Sequence, residues 1–131
     1  MLNQKNIYTL NDLIDAAARH RPHHKSLVTL EKSLNYSDLR LVIIRTAAGL
    51  HAAGVRRGDC VTIVLRNGLP FVATYFALAR LGAVAVPINF MIQKKDDLAF
   101  MLNDCRAVAL VTQNEFLGGL RAASPQGIHS A

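Results

Sequence analysis

Three histidines, His20, His23 and His24, fall within the pentapeptide HRPHH, and imidazoles this close could share a metal ion. Zinc sites add further His, Cys or carboxylate ligands at fixed spacings, and Pro22 breaks the helix that would orient these three. The segment is expected to be a solvated turn. Cys60 and Cys105 have no adjacent histidine to lower a thiol pKa, so both read as small apolar side chains. Arg57, Gly58 and Asp59 spell an adhesion tripeptide and Asn35, Tyr36, Ser37 a glycosylation sequon. Glycine and aspartate ahead of an apolar run are ordinary turn residues, and the sequon is idle in an intracellular chain. Asp96 and Asp97 could act as an acid/base pair, but the first turn of a helix is where carboxylates complement the dipole. After the apolar run CVTIVL come Arg66, Asn67, Gly68, Leu69 and Pro70. One glycine, and a proline that removes a donor, do not make a phosphate cradle. Neither G-x-G-x-x-G nor G-x-x-x-x-G-K followed by Ser or Thr occurs. This loop is expected to be a strand-to-helix turn with proline in the first helical turn.

Such residues need a scaffold, and 131 residues, 51% hydrophobic and 18% charged, suffice for one core. Disordered and collagen-like classes are excluded, and two cysteines cannot be the framework of a disulfide-rich fold. The N-terminal stretch is interrupted by Lys5, Asp12 and Asp15, so no signal-peptide core is read there and a cytoplasmic location is expected. The net charge of +6 is scattered, with Lys and Arg never more than two in a row. Phe71, Tyr75 and Phe76 lie in an uncharged stretch instead of among cations, so no nucleic-acid face is expected. Gly68 to Ala79 and Leu81 to Gln93 are uncharged runs split by Arg80. Pro70, Gly82 and Pro87 punctuate them as helix, stop and strand, with no transmembrane segment.

Periodicity supplies the elements. Leu10, Leu13, Ile14, Ala17 and Ala18 recur as on an amphipathic helix ended by Pro22. Leu27 to Leu30 and Ser33 to Asn35 read as two short strands joined by a turn at Glu31 and Lys32. Asn35 with Asp38 approximates a capping box for a helix bearing Leu39, Val42, Ile43, Ala47 and Leu50, stopped at Gly54. CVTIVL, AVAVPI and AVALV, starting near Cys60, Ala83 and Ala107, are three apolar runs of the kind found in strands buried on both faces. Helices are expected between them, one through Phe71 to Ala79 with a stop at Gly82 and one over Gln93 to Asn103. The pattern predicts an α/β fold of βαβ units on a parallel sheet with right-handed crossovers. GGLRAASPQGIHSA is expected to be irregular, giving a domain portion over 1–115 and a tail over 116–131.

Four ordered pieces resemble a known family. They are Leu34, Tyr36 and Leu39 opening a helix; Gly54, Val55, Gly58, Asp59 and Val61 entering a strand; Asn67 before a helix with Phe71; and the run Leu81 to Asn89, LGAVAVPIN. With LAFMLNDCRAVALVT they look like the N-terminal part of the adenylate-forming (AMP-binding) acyl-CoA synthetase superfamily, over about residues 9 to 115. Asn89, where peptide-synthetase adenylation domains carry an aspartate followed by Tyr-Pro, tilts the resemblance toward acyl-CoA synthetases.

The resemblance implies a ligase that turns a fatty acid or other carboxylate into an acyl-adenylate and then an acyl-CoA, using ATP, Mg²⁺ and CoA. It also implies that the Ser/Thr/Gly-rich loop, the Mg²⁺ carboxylate and the lid lysine lie outside these 131 residues. The chain alone is therefore expected to be inactive and to hold no cofactor. Its expected partner is the C-terminal remainder of the enzyme or a homologous chain, and the alternative is a non-catalytic docking or regulatory module. By the same resemblance, the loop with Asn89, Phe90 and Met91 lies near the CoA nucleotide, and Lys94 or Lys95 could reach a phosphate. Read from the residues themselves, the loop is a structural turn with solvated lysines.

Overall fold

The computed structural model describes residues 7–92, 94–123 and 129–130. Helix α1 (Leu10–His20) begins in a complete capping box. The Thr9 hydroxyl accepts from the Asp12 N–H at 3.1 Å, and the Asp12 carboxylate accepts from the Thr9 N–H at 2.9 Å. Strands β1 (Lys25–Val28) and β2 (Ser33–Asn35) form an antiparallel hairpin. The first strand ends two residues earlier than expected because Thr29 organises the turn. Its hydroxyl accepts from the N–H groups of Glu31 and Lys32, and Leu30 is left fully exposed.

Helix α2 (Tyr36–Ala52) is capped by Asn35, whose side chain accepts from the Asp38 N–H at 2.8 Å, and Gly54 follows it at φ +105°. Strand β3 (Cys60–Val64) leads into α3 (Leu69–Leu81), which has proline in its first turn and ends on Gly82 in the left-handed region. Strand β4 (Val84–Pro87), helix α4 (Lys95–Asp104) and strand β5 (Ala109–Thr112) follow. Of the expected Gln93 to Asn103 helix, Gln93 lies outside the described residues.

The larger sheet is parallel in the order β4-β3-β5-β6, where β6 is His129–Ser130. Alternation along β3 builds two layers on it. Val61, Ile63 and Leu65 pack against Leu39, Ile43, Ala47, Ala77 and Leu78 of α2 and α3. Val64, on the other face, joins Leu98, Leu102 and Leu120. The parallel α/β reading is thus observed, with two corrections.

AVAVPI is not buried on both faces. β4 is an edge strand among the described residues, with Val84 48% exposed, and Pro87 is tolerated because an edge position needs no second ladder donor. The irregular tail is also wrong where it can be checked. Helix α5 (Asn114–Ala123) crosses the expected boundary at 116, and β6 pairs with β5 at Ala109 and Leu110. Gly118 and Gly119 depress helix propensity, but burial of Leu120 and Ala123 outweighs that local cost. Residues 124–128 and 131 of the expected tail lie outside the described residues.

Helix α1 is tied to the rest by a charged junction. Asp15 accepts from Arg40 Nε at 2.7 Å and from Arg80 Nη2 at 2.6 Å, joining α1, α2 and α3. Burial alone pushes the Asp15 carboxyl up, but the hydrogen bonds and charges of Arg40 and Arg80 outweigh it and hold the pKa below the ordinary value. A folded-state pKa below the unfolded value contributes stability above the unfolded carboxylate pKa of about 3.9, lost as pH falls through the lower folded value. Urea denaturation at a series of pH values should show Asp15→Asn less stable than the parent at neutral pH. The difference should shrink below about pH 4.

Candidate functional site

Three strand exits meet at the carboxyl edge of the sheet. The chain leaves β3 through Leu65 and Arg66 and turns into α3 on one face. From the neighbouring strands β4 and β5 it turns into α4 and α5 on the other face. Where adjacent strands send their helices to opposite faces, their exit loops part and a crevice opens, the usual place for a ligand in an open α/β sheet. Here that crevice is crossed by Arg66.

The Arg66 guanidinium meets the Glu115 carboxylate in a two-pronged pair, Nε to Oε1 and Nη2 to Oε2, each at 2.8 Å. Its backbone N–H donates to Gln113 Oε1 at 3.0 Å, and Gln113 Nε2 donates in turn to Glu115 Oε1. The same guanidinium lies 5.0 Å from the ring centre of Phe90 and 5.5 Å from that of Phe116. The two rings stack with centres 5.5 Å apart and planes 25° from parallel. Arg66 therefore lies over both rings. Its hydrogen bonds hold Glu115 below the ordinary carboxylate pKa, and the carboxylate raises Arg66. Beneath these groups is a pocket of about 470 Å³ with an apolar floor that includes Val64, Ile92, Leu98 and Leu120. The arrangement offers a planar aromatic wall, an apolar depth and one cation at the mouth, suited to a ligand that joins a flat ring to an anionic group.

The residues singled out in the sequence divide at this site. Phe90 lines the pocket. Asn89, one position before it, is exposed and employed in the turn: its side-chain oxygen accepts from the Met91 N–H at 2.9 Å and its carbonyl from the Ile92 N–H at 3.0 Å. Lys94 and Lys95 are exposed at the start of α4, and Asp96 and Asp97 occupy its first turn.

Elsewhere, His24 stacks on Tyr36 at 6.5 Å, and no group of three or more His, Cys, Asp or Glu among the described residues could hold a metal ion. Asp59 accepts from the Arg56 N–H at 2.8 Å, the turn role expected of the tripeptide. Both cysteines are free and partly buried. Among the described residues no helix is long and apolar enough to cross a membrane. Sequence reasoning missed Arg66, Gln113, Glu115 and Phe116 as a unit. Arg66 was readable only as a turn residue, and Phe116 fell within the expected tail.

Comparison with known proteins places this geometry among others. A family model described as "AMP-binding enzyme" matches residues 14–130. A crotonobetaine/carnitine–CoA ligase of Proteus mirabilis is 38% identical over 85 residues, covering 65% of this chain and 16% of the relative. One from Escherichia coli O139:H28 is 34% identical over 99 residues, covering 71% of this chain and 19% of the relative. The crystal structure of an anthranilate CoA ligase in complex with anthranoyl-AMP matches 95% of this chain and 25% of its own, with a TM-score of 0.84 at 26% identity. A putative long-chain-fatty-acid CoA ligase from Rhodopseudomonas palustris shares the fold, with a TM-score of 0.86 at 24% identity over 96% of this chain and 33% of its own. The chain thus spans less than a fifth of the length of these curated relatives.

Proposed function

Because the chain belongs to the AMP-binding enzyme family, we propose that it forms the N-terminal portion of an ATP-dependent acyl-CoA ligase and has no turnover by itself. In the complete reaction a carboxylate oxygen attacks the α-phosphorus of ATP, releasing pyrophosphate. The CoA sulfur then attacks the acyl carbonyl, and AMP leaves. The observation that carries the reading is the sheet itself, whose likeness to an acyl-adenylate-bound CoA ligase extends over 95% of the chain.

The residues present fit only part of that chemistry. No glycine-rich Ser/Thr loop with a lysine occurs in the 131 residues to cradle a triphosphate, so no step through ATP or Mg²⁺ is assigned to them. The Phe90 pocket does fit the nucleotide end of CoA, an aromatic base with phosphates attached. We assign Phe90 and Phe116 to the base and Arg66 to a phosphate, and Asn89 to shaping the loop. Against the expectation that the chain alone holds no cofactor, this lining predicts weak binding of that nucleotide by the 131-residue chain.

The test is pyrophosphate release and thioester formation by the purified chain with ATP, Mg²⁺, CoA and a panel of short, long and aromatic carboxylates. No turnover is expected, and formation of a CoA thioester would overturn the reading. A second reading, a docking module for a separately encoded remainder, is supported by the half-exposed Val84 on the β4 edge and by exposed Met91 and Phe100. It expects co-elution with that remainder on mixing, and two separate peaks would dismiss it.

A further inference from the structure

Among the described residues one cation, Arg66, lines the Phe90 pocket, and its Nε–Nη2 fork is taken by Glu115, while the guanidinium carries further N–H donors on Nη1. A carboxylate in that geometry occupies the position a ligand's phosphate would take, since both present two oxygens to the same fork. We propose that Glu115 is an internal competitor for Arg66, an acidic latch that offsets its charge and holds its Nε–Nη2 fork until a phosphate takes that fork, so that the pocket favours ligands coupling an anion to a ring over a free anion. The inference deepens the assignment of this pocket to the nucleotide end of CoA and rests on it.

Geometry argues for exchange in place of a fixed ion pair. Arg66 does not depend on Glu115 for its position: its backbone N–H is fixed by Gln113, and its guanidinium rests on Phe90 and Phe116 at 5.0 and 5.5 Å. The guanidinium is therefore preorganised whether or not Glu115 holds it. Glu115 sits in the first turn of α5, where a carboxylate released from Arg66 still faces the positive end of the helix dipole. Both partners are well exposed, with side chains 56% and 42% accessible, and exposed pairs are weak enough to open. A free anion gains one cation and loses hydration. A ligand that also stacks on the rings gains both and can displace the latch.

Calorimetric titration of the 131-residue chain with adenosine 3′,5′-bisphosphate, adenosine and inorganic pyrophosphate tests this, with thermal melts confirming that each variant folds. Glu115→Gln keeps the side-chain length and removes the competing charge. It should tighten the bisphosphate by about twofold to fivefold, as expected for removing one exposed competing charge, and leave adenosine unchanged. Combined with Glu115→Gln, Arg66→Gln should abolish that gain. Equal bisphosphate affinity in parent and Glu115→Gln, or weaker binding in the variant, overturns the latch while leaving the pocket assignment standing. Tightening that persists in the double variant also overturns it, because the anion then lies elsewhere. Failure of parent and variants alike to bind either nucleoside overturns both the latch and the assignment.

Discussion

Replacing Ile63 by alanine should cost about 2–5 kcal/mol of folding stability, a large share of the roughly 5–15 kcal/mol a domain of this kind holds. Ile63 is wholly buried in β3, paired with Pro87 of β4 on one side and Val111 of β5 on the other. Its side chain enters the layer formed with α2 and α3, among Ile43, Ala77 and Leu78, none more than 1% exposed. With strands on both flanks and helices above, little can move in to fill the space left by the lost methyl groups, which places the cost above simple transfer. Val84→Ala, on the exposed edge strand, should change stability by no more than about 0.5 kcal/mol. Equilibrium urea denaturation reads both. A small loss at Ile63 would mean that the α2/α3 layer collapses onto the sheet, and the tightly packed layer described above would then be wrong.

What could be read beforehand follows how local each determinant is. Asn35, Gly54 and Gly82 fix helix ends through their own backbone and side chain, and CVTIVL declares a central strand because nearly every residue of it is apolar. Those elements stand where periodicity and capping place them. AVAVPI carries the same composition, yet lies at an edge among the described residues, because the number of neighbours a strand receives is decided by chain from elsewhere. Helix α5 went unread for the opposite reason: its local signals, two adjacent glycines, argue against it, and only the contacts of Leu120 and Ala123 with the α4 layer make it stable.

The candidate site is the least local feature of all. Arg66 and Glu115 are 49 positions apart, and the two rings come from the exits of different strands. No spacing rule joins them. The family resemblance singled out a loop in which Asn89 and Phe90 are adjacent in sequence, and only the fold shows which of the two lines the pocket.

Gly82→Val should destabilise the chain by about 2–3 kcal/mol, from two separable causes. Gly82 ends α3 at φ +71° and ψ +18°, with its N–H bonded to Ala79 and the next N–H to Leu78. Its carbonyl also accepts from Gly58 N–H at 2.9 Å, tying the end of α3 to the turn before β3. A left-handed backbone costs an L-residue about 1–2 kcal/mol, more when the side chain is β-branched. A Cβ here would also stand 3.0 Å from Arg57 Cγ. Arg57 is exposed and its side chain can swing aside, so the backbone strain is the larger part. Three comparisons separate the causes. Gly82→Asn should lose less than Gly82→Val, because asparagine tolerates the left-handed region. Arg57→Ala should restore only a minor fraction of the loss in the double variant. Gly49, exposed inside α2 with nothing within 4 Å of its would-be Cβ, should respond with the opposite sign, gaining about 0.5–1 kcal/mol as alanine. If Arg57→Ala instead rescued Gly82→Val completely, crowding against Arg57 and not the left-handed turn would be what reserves the position for glycine.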